Sequence, residues 1–107
     1  MGTLLAAKCN ICSYKNERIN FGASMDEAEE GKCHVPALRN NSSVIEMVNI
    51  RKKSNHKNYI FYTDPLFYEG NLEEYFDAWE FRLMKKNNLC PECKNNEMEF
   101  IYRGEYD

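Results

Sequence analysis

Apolar and polar positions change period several times along this chain. TLLAAK, residues 3 to 8, is a short apolar run leading into Cys9-Asn-Ile-Cys12, and KNERINFG follows with Ile19 and Phe21 alternating against Arg18 and Asn20. Period-two alternation on both sides of a tight cysteine pair reads as strand, knuckle, strand. The stretch 22–36 is acidic, bounded by glycine and closed by Pro36, and favours a loop, with MDEAEE able to form one helical turn. VIEMVNI, residues 44–50, is β-branched and reads as a strand, with a weaker helical alternative from NSSVIE. The polar, basic RKKSNHKN then separates it from the β-prone YIFYTD, which suggests a hairpin with a charged tip before Asp64-Pro65 ends the strand.

NLEEYFDA, residues 71–78, offers Asn71 as a cap with Glu74 three residues on, and Leu72, Tyr75, Phe76 and Trp79 at helical spacing, so a short helix is expected there. From Trp79 the period returns to two, predicting a strand that runs into Leu89-Cys-Pro-Glu-Cys93, and MEFIYRGEY supplies the return strand. The expected architecture is mainly β, with α+β as the variant. Two CxxC hairpins, at about 3–21 and 79–103, come together as in a zinc ribbon, with a β-rich insertion at about 22–78 and one short helix. At 107 residues the whole chain, 1–107, reads as a single domain.

Composition narrows the function classes. A net charge of −3 argues against a dedicated nucleic-acid binder. No apolar run approaches a membrane span, and the opening residues carry no signal-peptide or myristoylation pattern, so a cytoplasmic protein without membrane contact is expected. In such a reducing compartment five cysteines are read first as ligands or thiols and not as disulfides.

Cys9, Cys12, Cys90 and Cys93 make two CxxC pairs, the complement of a closed tetrahedral zinc site. Short spacing lets one tight turn aim both sulfurs of a pair at the same point. The 77 residues between Cys12 and Cys90 are no obstacle. Lengthening such a loop from about 12 residues adds only about 1.6 kcal/mol of closure entropy, against about 10–16 kcal/mol for zinc in small peptides. Three alternatives use the same residues: a thioredoxin-type dithiol, which needs its first cysteine at a helix N-terminus; rubredoxin-like iron, which usually accompanies glycine after each knuckle where this chain has Ser13 and Lys94; and disulfides within the pairs, which leave Cys33 odd. One structural Zn²⁺ is the favoured reading, with no catalytic residue and no credible catalytic constellation.

Outside the pairs, Cys33 and His34 raise a thiol–base possibility, but adjacent residues seldom face each other for that work, and a half-buried cysteine beside a surface histidine is the simpler reading. His56 is expected to be solvated. Arg51, Lys52, Lys53 and Lys57, with Tyr59 and Tyr62 as stacking platforms, could contact RNA; a soluble hairpin end is favoured. Tyr59, Phe61, Tyr62, Phe67, Tyr68, Trp79 and Phe81 read as core and edge packing.

The segments MGT and AKCNICSY near the start, NFGA after them, VPA mid-chain, FYTDP later and NNLCPEC near the end together resemble a group of small, uncharacterised bacterial zinc-ribbon-type proteins. The resemblance spans nearly the whole chain and implies a stand-alone protein with structural zinc on Cys9, Cys12, Cys90 and Cys93 and no assigned activity. Ser13 and Lys94 depart from the glycines usual in zinc ribbons. The sequence therefore points to a metal-stabilised, non-catalytic module whose partner is a protein, with thiol redox or iron electron transfer and weak nucleic-acid binding as the alternatives.

Overall fold

A computed structural model describes residues 2–64 and 74–106. The described chain is mainly β and antiparallel. Its strands are β1 (Gly2–Cys9), β2 (Lys15–Gly22), β3 (His34–Arg39), β4 (Ile45–Asn49), β5 (Tyr59–Phe61), β6 (Tyr75–Ala78), β7 (Phe81–Met84) and β8 (Met98–Tyr106). One short helix, α1 (Met25–Glu29), follows β2, and a 3₁₀ turn (Lys53–Lys57) precedes β5. The larger sheet runs β4-β3-β2-β1-β8, with β5 also on β3, while β6 and β7 form a separate hairpin.

The central position of β1 explains its composition. Leu5, Ala6 and Ala7, whose side chains alternate between the two faces, are all buried, and the strand is paired with β2 on one edge and β8 on the other. Ile19 and Phe21 of β2, Val35, Ala37 and Leu38 of β3 and Phe100 of β8 join Leu5 and Ala7 in the core. Pro36 sits inside β3 without breaking it. Its carbonyl accepts from the Tyr62 N–H at 3.0 Å, so its missing N–H falls on the side where the neighbour of β3 changes from β2, paired only at Gly22↔His34, to β5.

Several expectations are corrected. In the 22–36 stretch the helical alternative at MDEAEE wins over the favoured loop: Ser24 and Glu27 close a capping box, with Ser24 Oγ accepting from the Glu27 N–H and Glu27 Oε1 from the Ser24 N–H, and α1 follows. β4 and β5 do not form a hairpin with each other; each pairs with β3, on opposite edges, because the connection between them is long enough to cross the end of that strand. The expected helix at 71–78 fails where it can be tested. Residues 71–73 lie outside the described ones, and Tyr75–Ala78 is strand, paired from Tyr75↔Met84 to Ala78↔Phe81. Cross-strand hydrogen bonding to β7 outweighs the local helical spacing.

The second knuckle differs from the plan as well. β7 begins at Phe81, since Trp79 and Glu80 are the two-residue turn of the β6–β7 hairpin. The return strand β8 pairs along its whole length with β1, and only the bridge Asn88↔Met98 joins it to the approach to Cys90. Phe67 and Tyr68, expected to pack, lie outside the described residues.

Candidate metal centre

Each cysteine pair lies in a tight turn at one end of the β1–β8 ladder. Cys9 closes β1 opposite Met98 of β8, and Met98 exchanges backbone hydrogen bonds with Asn88 at 2.9 and 3.0 Å on its other side. Fully buried Met98 therefore stands between the two knuckles and sets their separation. Asn88 Nδ2 donates to the Met84 carbonyl at 2.9 Å, fixing the descent from β7. The buried Tyr62 hydroxyl donates to the Leu89 carbonyl at 2.6 Å while its ring meets Phe100 edge-on at 5.4 Å. The knuckle is thus tied to the core on both sides.

The two turns repeat one backbone pattern. The N–H of Cys9 donates to the Tyr14 carbonyl, five residues on, and that of Cys90 to the Asn95 carbonyl, also five on. The Ile11 and Cys12 N–H groups point at Cys9 Sγ from 3.4 and 3.5 Å, and those of Glu92 and Cys93 serve Cys90 in the same way. Tyr14 and Asn95, each two residues after the second cysteine of its pair, donate their N–H groups to Cys12 and Cys93. Every sulfur thus has backbone donors that favour a thiolate. Lys94 takes φ +64, the left-handed conformation usually given to glycine, so the turn forms despite the side chain.

The Sγ atoms of Cys9, Cys12, Cys90 and Cys93 all lie within 4.8 Å of one another. Across the knuckles Cys9 meets Cys93 and Cys12 meets Cys90, both at 3.6 Å. Four thiolates bound to zinc at about 2.3 Å stand about 3.8 Å apart at the corners of a tetrahedron. The cluster fits a metal ion of that size and ligand preference. Cys9 and Cys90 are buried, and Cys12 and Cys93 are half-buried.

Crowding splits the thiols' acidities. The Asn95 N–H, helped by the neighbouring cysteines, brings Cys93 down to about 6. At Cys12 the Tyr14 N–H lowers the pKa, but burial and the other three sulfurs outweigh it and push it up to about 12. Burial raises Cys90 too. Thiolates packed this closely repel one another, and a divalent cation between them removes that repulsion. With four sulfurs on one ion no position stays open for water, so such a centre holds structure and is no Lewis acid.

The remaining candidates stand apart from the cluster. Cys33 is fully buried in the core, and burial raises its thiol to about 11. His34 turns away toward Glu27, with Nδ1 to Oε2 at 2.8 Å, so no thiol–base pair exists there. His56 is exposed, as expected, and also donates from Nε2 to the Ile50 carbonyl at 2.7 Å and tilts against Phe61. Tyr62 is buried, and the half-buried Tyr59 bonds Arg39 and Glu46, so neither is a stacking platform beside Arg51, Lys52, Lys53 and Lys57. Trp79, expected among the core and edge packing residues, is 54% exposed at the tip of the β6–β7 turn.

Neither cysteine pair opens a helix, as a thioredoxin-type dithiol requires. Among the described residues no helix is long and apolar enough to cross a membrane. No family model matches the chain, and no curated protein or solved structure matches it either.

Proposed function

We propose that this protein is a zinc-stabilised, non-catalytic interaction module: one Zn²⁺ on Cys9, Cys12, Cys90 and Cys93 locks the two ends of the chain together, and the surface so fixed engages a protein partner. The observation that carries the reading is the meeting of four sulfurs from opposite chain ends at spacings close to those of a zinc tetrahedron. The matching N–H donors in both knuckles support it, because they share the negative charge that four thiolates leave on a divalent ion. Nothing else in the site resembles a reaction centre: the fifth thiol is buried away from it, and among the described residues His34, its neighbour, is turned to Glu27. The cytoplasmic setting expected from the sequence agrees with this reading, since thiolate ligands survive best where thiols stay reduced.

Elemental analysis of protein purified without chelator tests the metal. One equivalent of zinc is expected, falling well below half an equivalent in Cys90→Ser, with loss of the cooperative thermal transition. Iron in place of zinc, with its visible absorption, would move the reading to electron transfer. A metal-free protein with an unchanged transition would end it.

A further inference from the structure

Away from the cysteines, a cleft of about 390 Å³ separates the β6–β7 hairpin from the larger sheet. Ile50, Phe61 and Asp64 line it on one side, and Glu80, Phe81 and Arg82 on the other. At its rim the protein already seats a cation. The Arg51 guanidinium lies 5.5 Å from the centre of the Trp79 ring and 5.2 Å from that of Phe81, and donates to both carboxylate oxygens of Glu80 at 2.9 and 3.3 Å. Aromatic faces beside a carboxylate are the chemistry that recognises guanidinium and substituted ammonium groups.

Two features mark this seat as more than a structural clamp. Trp79 is more than half exposed, and it holds φ +53 in a two-residue turn where glycine is the ordinary occupant. A strained, solvent-facing tryptophan at a hairpin tip is the kind of anchor on which protein interfaces concentrate their binding energy. Arg82, which lines the cleft with Asp64 and Glu80, holds its guanidinium 5.1 Å from the centre of the Tyr75 ring, so a second arginine rests on an aromatic face in this part of the molecule.

We propose that Trp79, Glu80 and Phe81, with the cleft beside them, form a receptor for an arginine side chain of a basic protein segment, and that Arg51 is a tethered stand-in which the segment displaces. This rests on the interaction-module reading and names the partner's chemistry. A tethered occupant competes at high effective concentration, so the intact protein binds such a segment weakly and reversibly.

Trp79 is the sole tryptophan, so its fluorescence reports the seat directly. Zinc-loaded protein is titrated with a glycine-serine peptide carrying three arginines, with a glutamate counterpart and with a single-stranded oligonucleotide. The arginine peptide should give a saturable change and the other two none. Arg51→Met should tighten binding several-fold by removing the competitor, and Glu80→Gln added to Arg51→Met, where no tethered arginine shares the carboxylate, should weaken it about tenfold by loss of a charge-assisted pair. The wild-type titration against the glutamate and oligonucleotide controls is read by itself, so a poorly folding Arg51→Met leaves the test standing. No saturable change with full zinc content, equal affinities of Arg51→Met with and without Glu80→Gln, or a response to the oligonucleotide instead would each overturn the receptor while leaving the metal centre intact. Loss of zinc in the same samples would point to failure of the module itself.

Discussion

Lys94 shows at the residue scale how the knuckle tolerates an imperfect sequence. Its N–H bonds the Cys90 carbonyl at 3.0 Å, and that closure demands the left-handed backbone whatever residue is present. The left-handed region costs a residue bearing a Cβ about 1–2 kcal/mol, and glycine gives back part of this in unfolded-state entropy. Lys94→Gly is therefore expected to stabilise the loaded protein by about 0.5–1 kcal/mol, read from denaturant midpoints, with zinc stoichiometry unchanged. Ser13 occupies the matching position after the first knuckle but is not left-handed, so Ser13→Gly should not stabilise. The absence of glycine after each CxxC pair was visible in the sequence; which of the two positions is strained was not.

At the scale of elements, α1 is too short to persist alone and depends on its cap and on β3. The Ser24 N–H donating to Glu27 is the first cause that holds the Glu27 carboxyl below the ordinary range, and His34 adds to it. A carboxylate with a lowered folded-state pKa contributes stability above its unfolded value of about 4.3, and that contribution is lost as pH falls through the lower folded value. Glu27→Gln should accordingly lower the thermal midpoint at pH 7 and by about the same amount down to about pH 5, with the gap starting to close only as pH falls below about 4.3. The capping box S-x-x-E was legible in Ser24-Met-Asp-Glu27 and decides for the helical turn at MDEAEE over the loop. The β6 strand was not legible, because the partner that decides it lies across a turn made by a tryptophan, a residue that carries no turn signal.

At the scale of the whole molecule, the proposed metal centre would tie sheet closure and core into one cooperative unit. Cys33 reports on the core from inside, and the four clustered cysteines report on the centre. With metal bound, all five cysteines should resist alkylation at neutral pH, Cys33 because it is buried with its thiol near 11 and the others because they are ligated. Addition of a strong chelator should expose all five together, seen as one mass increment for complete modification. If four were modified while Cys33 stayed protected, the fold would stand without its metal. Acid should act in the same direction as chelation, since protons compete with the ion for sulfur.

The sequence by itself determined the chemistry of the ends: residue types and two-residue spacing fix a knuckle, because a tight turn aims its own sulfurs without help from distant parts of the chain. It also determined the β character of β1, β2, β4, β5 and β8, where apolar residues fit strands buried on one face or both. Tertiary structure alone decided that β8 returns to β1, that β3 is flanked by β4 and β5, and that Trp79 faces solvent beside Arg51. Strand pairing joins backbone groups that are nearly alike at every residue, so partner and register follow from which long-range arrangement buries the most apolar surface, a property of no single segment.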